Sequence, residues 1–305
     1  MPSGPVLDQA PDAIAALLAE PLAVADVGAD GGLHRRWHPF NHLTVLAFDA
    51  RDDAQLGDDS HHPGASILGS HAVLDAEPRD RTLHITAKPN CSSLYEPNPR
   101  IISRFADPER LRVVERIGVR TSTLAAEAQR LAVDRVDFMK VDVQGAELDV
   151  LRGASPLLAS AGEASGRVIG AEVEVQYLEM YAGAPGFADV ARFMLERGYE
   201  LIDLRRVYAH PTGAAKRPDR KGQLLFGDAL FMLSPALVDS RETARRACAI
   251  ALAYELTSLA VCYAEIRQGD PTLDTIARLG RAQLARRPDG PRVNDQALGN
   301  TPGAA

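Results

Sequence analysis

A chain of 305 residues, 46% hydrophobic and 25% charged, has an ordinary globular composition and enough length for one large core or two smaller ones. A net charge of −7 and a pI near 5.6 exclude the broad basic surface that a nucleic-acid backbone requires, while leaving room for a local basic groove. Cys91, Cys248 and Cys262 form an odd, scattered set without a CxxC pair, which disfavours a disulfide framework and a structural zinc site; no basic stretch followed by an apolar core opens the chain, so a cytoplasmic location is expected.

In chain order, residues 1–21 contain a short helix at 10–18. Strand signals follow at 22–28 (LAVADVG), 43–50 (LTVLAFDA), 71–76 (HAVLDA), 136–143 (VDFMKVDV) and 167–175 (RVIGAEVEV), with helices over 145–160 and 186–197. Such alternation predicts an α/β fold with a mostly parallel sheet covered on both faces. Two further strands, 199–207 and 223–233, flank a Pro-, Lys- and Arg-rich loop at 209–222 and would close the sheet with one antiparallel strand. Between the third and fourth strands, 77–123 is less regular: TLHITA alternates like an exposed strand, and KPNCSSLYEPNP carries three prolines among turn-forming residues, suiting a lid or a substrate wall. Beyond Pro235 lies a helical tail. Its apolar run, 247–264, nearly reaches membrane-spanning length, but Glu255 interrupts it and charged flanks bound it. A buried or dimer-forming helix is therefore favoured over a membrane anchor. Residues 285–305, rich in Pro, Gly, Asn and Asp, are expected to be disordered. The resulting division is 1–21, a main domain at 22–235, a helical extension at 236–284, and the tail.

The first strand ends in Asp26-Val27-Gly28-Ala29-Asp30-Gly31-Gly32, a turn small enough for backbone amides to approach a ligand. A dinucleotide fingerprint would need glycine where Asp30 stands, and that carboxylate would repel a pyrophosphate. An acidic rim at Asp26 and Asp30 instead suits a cofactor with sulfonium and ammonium charges and no phosphate. The second strand ends in Asp49, about twenty residues on, where an acidic side chain accepts both ribose hydroxyls in folds of this type. These two elements together point to S-adenosylmethionine.

The most informative stretch is 136–154, VDFMKVDVQGAELDVLRGA, in which a buried strand enters an amphipathic helix through a polar elbow. Ligands in open α/β sheets bind beyond the carboxyl ends of parallel strands, so Asp142, Gln144 and Glu147 stand where one would be met. This run resembles the K-x-D-x-[EQ]-G-A-E-x-x-x-L-x-G signature of the FkbM family of S-adenosylmethionine-dependent methyltransferases. GGLHRRWHPF, CSSLYEPN, EVEVQYLEMY with FADVARFMLERGYELIDLR, and GQLLFGDALFM extend the resemblance over about 22–235, to a subgroup associated with polysaccharide or natural-product pathways. The resemblance implies a Rossmann-like class I methyltransferase with a seven-stranded sheet. It also implies a cofactor pocket lined by Gly28, Ala29, Asp30, Gly32 and Asp49, with Ala72 and Asp75 near adenine. The Pro39-containing stretch after Gly32 leaves little room for a full first helix, so the pocket floor there is expected to be irregular.

Methylation of a hydroxyl requires a group that takes up its proton, or a metal that assists. Side chains alternate along strands, so Lys140, Asp142 and Gln144 share one face, as do Glu172, Glu174 and Gln176. If the two strands are neighbours, Lys140 partly neutralises a cluster of Asp142, Glu172 and Glu174. That cluster is either a buried ion-pair network or the catalytic centre, with Asp142 and Glu172 the candidates for a divalent metal. Arg35, Arg36 and Trp37 are candidates for binding an anionic or sugar acceptor. His34, His38 and His42 suit a substrate or solvated face better than zinc, and His61 and His62 read as loop. Ser92, Ser93, Tyr95 and Asn98 offer either sugar-recognising groups or ordinary turn chemistry; His210 on the 209–222 loop is a further acceptor-side candidate and the fallback base. The expected function is O-methylation of a saccharide or a glycosylated or polyketide-like metabolite. The competitor is a non-catalytic protein that binds S-adenosylmethionine or a partner through the same fold. No nucleic-acid partner and no membrane span are expected, and the carboxyl-terminal helices are candidates for a homodimer contact.

Overall fold

A computed structural model describes residues 17, 21–29, 32–40, 42–51, 56, 64–158, 168–210 and 222–286. The expected helix at 10–18, apart from Leu17, therefore lies outside the described residues, as do Asp30, His61, His62, most of the 209–222 loop and residues 287–305.

Uninterrupted apolar runs form the centre of the sheet. β1 (Leu22–Val27) and β2 (Leu43–Phe48) pair in parallel, and β3 (Ala65–Ser70) extends them at one edge. The strand expected at 71–76 is displaced to β3. Its reason is pairing: the ladder ends at Phe48 opposite Ser70, so the residues that follow have no neighbouring strand and turn away as an irregular segment, touching Ser122 through Leu74. β4 (Asp80–Thr86) and β5 (Val113–Arg120) make a separate antiparallel ribbon, with the one-turn helix α1 (Pro99–Ile102) between them. β5 alternates only weakly and leaves Val114 and Ile117 exposed, which hid it in the sequence. After α2 (Leu124–Arg130) the chain re-enters the main sheet as β6 (Phe138–Val141), then α3 (Glu147–Gly153) and β7 (Gly170–Gln176), both strands parallel to β1.

α3 stops well before residue 160. Its end is pressed against the segment after β3, where a Cβ on Gly153 would stand 2.2 Å from the Asp75 carbonyl oxygen, and Pro156 opens a 3-10 turn. α4 (Phe187–Leu195) leads to β8 (Tyr199–Ala209) and β9 (Gln223–Leu233), and β9 inserts antiparallel between β7 and β8. The strand order is β3-β2-β1-β6-β7-β9-β8, a mixed, mainly parallel seven-stranded sheet.

The carboxyl-terminal run forms three helices: α5 (Arg241–Ala253), α6 (Thr257–Ile266) and α7 (Pro271–Arg286). The run, read as one helix interrupted in charge at Glu255, divides there into α5 and α6, and the Glu255 backbone is left-handed at φ 58°. Ala244, Cys248, Ile250, Leu252, Tyr263, Leu273 and Ile276 all join the core of the sheet. The apolar face proposed for a dimer is thus covered within the chain. Among the described residues, no helix is long and apolar enough to cross a membrane.

Candidate functional site

The site is built where β1 and β6 end side by side. The Asp142 amide donates to the Val27 carbonyl at 2.9 Å, while the Gly28 and Ala29 amides both donate to the Phe48 carbonyl, at 2.8 and 3.0 Å, turning the chain sharply off β1. Gly28 is required there: its φ is +85°, and a Cβ would stand 2.0 Å from the Asp142 carbonyl oxygen. Beyond this turn lies a cavity of about 350 Å³, bounded by the strand ends on one side and by 88–94 with Arg110 and Leu111 on the other. Its size is in the range of small-molecule sites.

The residues expected around a cofactor divide between the cavity lining and its surroundings. Gly28, Asp49 and Ala72 line it, with Val27, Phe48, Val73 and Leu74 as an apolar slot. Asp49 sits at the end of β2, its oxygens accepting from the Arg51 amide (2.9 Å), Nε (3.0 Å) and Nη2 (3.2 Å), so the carboxylate is fixed and ion-paired. Three of roughly four acceptor directions are filled, and a diol would share or displace an Arg51 bond. Ala29 and Gly32 lie outside the lining, and Asp30 outside the described residues. Asp75 does not reach the cavity. It is fully buried behind it, bound to Arg79 at 2.9 Å and Arg81 at 3.0 Å, because a carboxylate in that position must be paired.

The same lining holds the carboxyl groups of Asp142 and Glu174. Asp142, one third exposed, faces the cavity; Lys140 lies 3.4 Å from Asp26 and 3.9 Å from Asp142. Burial opposes the Lys140 charge, but Asp26 and Asp142 outweigh it and raise its pKa, whereas Asp26 itself is raised by burial against the pull of Lys140. Glu174 is buried and hydrogen-bonded to Asp142. Burial first, then the Asp142 charge, push its carboxyl well above the ordinary range, which favours its protonated form. Gln144 completes the arrangement from a left-handed backbone at φ 60°: its amide nitrogen donates to Asp142 (2.8 Å) and Glu174 (3.3 Å), and its carbonyl accepts from the Tyr181 hydroxyl at 3.0 Å. Glu147, expected to meet a ligand, instead turns inward and accepts from the Gly145 amide at 2.9 Å and the Val143 amide at 3.1 Å; burial lifts its pKa to about 7.

Other expected groups are distributed differently. Glu172 does not join the carboxyl pair: although opposite Lys140 in register, it accepts from Arg36 at 2.7 Å in a second hollow lined by His34, Arg35, Asp228 and Tyr254. Trp37 is no acceptor surface, being buried against Phe138 (ring centroids 5.4 Å apart) and Tyr254, the reason being that β6 offers an apolar platform there. The Arg35–Trp37 turn is a 3-10 helix, with His34 as its cap accepting from the Arg36 amide, and it lies outside the lining of the cavity whose floor it was expected to form. Ser92 and Ser93 line the cavity, Ser93 also donating to the Gln144 carbonyl at 2.7 Å. Tyr95 points away and donates to Asp149 at 2.6 Å, Asn98 caps α1, and His210 is exposed outside the cavity. Among the described residues no group of three or more His, Cys, Asp or Glu is arranged to hold a metal ion, and Asp142 and Glu172 face different neighbours.

Tyr181, Gln176, Lys88 and Arg110 also line the cavity and were not singled out beforehand. For Gln176 the period-two run Glu172, Glu174, Gln176 was a usable signal; for the others, chain positions far from the elbow carried none. The family model described as Methyltransferase FkbM domain matches residues 53–201. No curated protein matches the chain.

Proposed function

We propose, from the match of residues 53–201 to the Methyltransferase FkbM domain model, that the chain is an S-adenosylmethionine-dependent O-methyltransferase whose acceptor hydroxyl, on a saccharide or a glycosylated or polyketide-like metabolite, meets Asp142. The observation that carries this reading is a single cavity whose lining holds the Asp142 and Glu174 carboxyl groups together with Asp49 and the Gly28 turn.

The residues present fit the cofactor. Gly28 lets the chain turn off β1 in direct contact with the Asp142 carbonyl at the edge of the cavity, Asp49 offers a carboxylate acceptor for a ribose, and Phe48, Val73 and Leu74 suit a flat apolar base. Bound there, S-adenosylmethionine would supply an electrophilic methyl group on a sulfonium. Forming the ether releases the hydroxyl proton, and Asp142, exposed to the cavity, is the group that takes it. Glu174, holding its own proton, donates to Asp142 and fixes which oxygen faces the acceptor, while Gln144 and Tyr181 lock both carboxyls in place. Lys140 steadies the charge from behind.

Calorimetry with S-adenosylmethionine and S-adenosylhomocysteine, followed by transfer of a labelled methyl group to a glycan panel, tests the proposal. Asp49→Ala should weaken cofactor binding at least tenfold, as expected for one or more charge-assisted hydrogen bonds. Absence of binding by the wild-type chain would refute the reading; binding without transfer to any acceptor would favour a binding protein of the same fold.

A further inference from the structure

Two cations line the cavity without a carboxylate partner among the described residues. Lys88 and Arg110 line the cavity from adjacent backbone segments, joined by the Lys88 amide donating to the Arg110 carbonyl at 2.9 Å. Among the described residues neither side chain has a hydrogen bond or ion pair. Their neighbours on the same ribbon are all paired: Arg112 with Glu109, Arg116 with Glu96, Arg120 with Asp80, and Arg79 and Arg81 with Asp75. Along the ribbon these arginines find carboxylates, whereas the two cations at the cavity do not. On the strand side, the Gln176 side-chain oxygen is buried in the same cavity wall without a partner. A buried acceptor left in that state costs free energy unless a donor arrives.

We infer that the acceptor is a hydroxylated anion, with its carboxylate or phosphate held by Lys88 and Arg110 and its hydroxyl groups directed to the Asp142 and Gln176 side. The Arg110 guanidinium is suited to two-pronged recognition of either oxyanion, and Lys88 adds a point charge. Cys91, also in the cavity lining, lies near both cations: burial raises its thiol pKa, and the charges of Arg110 and Lys88 pull against that rise. The inference rests on the methyl-transfer reading for the role of the hydroxyl, but the anion site stands on the two cations alone.

Glucuronate, glucose 6-phosphate and glucose, which share a ring but differ in charge, are the probes. Titrated by ligand-observed NMR into the full chain saturated with S-adenosylhomocysteine, at least one anion should bind ten-fold or more tightly than glucose. That preference should shrink with added salt and vanish in Lys88→Gln/Arg110→Gln, with affinity for S-adenosylhomocysteine unchanged. Equal binding of glucose, no binding of either anion, or an anion preference that survives the double substitution would each overturn the proposal. So would a double variant that loses S-adenosylhomocysteine affinity instead, since the cations would then serve the cofactor's own carboxylate. Repeating the titrations without S-adenosylhomocysteine separates the two readings: a chain that ignores the cofactor but still binds anions through Lys88 and Arg110 would sink the methyltransferase reading alone.

Discussion

At the scale of single residues, Asp142 and Glu174 differ in the job their surroundings allow. Asp142 reaches the cavity and has Lys140 beside it; Glu174 is buried, and its surroundings favour the protonated form, which suits a donor. Asp142→Asn should therefore lower turnover about a hundredfold or more with cofactor affinity intact. Glu174→Gln, which preserves a donor toward Asp142, should cost less than tenfold. Equal losses in labelled-methyl transfer would contradict this division. Glu147 yields a second expectation, on stability. Its folded pKa of about 7 lies above the ordinary 4.5, so the native state binds the extra proton between those values and stability falls as pH rises through that window. Glu147→Gln removes the titration, and its stability relative to the parent should increase by about 3 kcal/mol from pH 4.5 to 7. Urea unfolding at several pH values measures it, and a difference independent of pH would contradict it. The charges themselves were legible in the sequence as residues of one strand face; which carboxyl pairs with which was not. Arg36 claims Glu172 from more than a hundred positions away, and no local pattern announces such a partner.

At the scale of elements, the long apolar strands were readable because each is buried over most of its length. What failed were features decided by neighbours. The third strand ends where β2 ends, α3 ends where it meets Asp75, and the apolar tail breaks at Glu255, a residue with no intrinsic preference for a left-handed backbone. The glycine turn was legible for the opposite reason, since only glycine tolerates both its φ and its close approach. Gly28→Ala accordingly forces β1 and β6 apart at the cavity. It should destabilise the fold by about 2 kcal/mol or more and weaken cofactor binding. Thermal unfolding and calorimetry on the variant check both effects, and a stable protein with unaltered binding would mean the turn relaxes freely.

At the scale of the whole molecule, the carboxyl-terminal helices belong to the same core as the sheet. Arg246 on α5 is buried, donating to Asp137 at 2.7 Å and to the Pro21 carbonyl at 3.0 Å, while Asp137 in turn accepts from the Ala23 amide at 2.8 Å. One buried ion pair thereby ties the last helices to the first strand and to the entry of β6. Composition alone suggested a partner for the apolar run but not which partner, because an alanine-rich face packs equally well against its own sheet or another copy. Removing a member of a buried pair costs about 3 to 5 kcal/mol when a charge is stranded. Arg135 stays at 2.7 Å from Asp137, so Arg246→Ala should fall near the lower end, about 3 kcal/mol. Leu252→Lys, which puts an ammonium where the side chain is 2% exposed, should also lower stability by several kcal/mol. Both losses should appear in urea unfolding as independent of protein concentration, with the same elution volume in size exclusion as the parent. A midpoint that shifts with concentration, or a substitution that splits an oligomer while leaving each copy stable, would show that the face is shared between chains and that packing within one chain does not account for its burial.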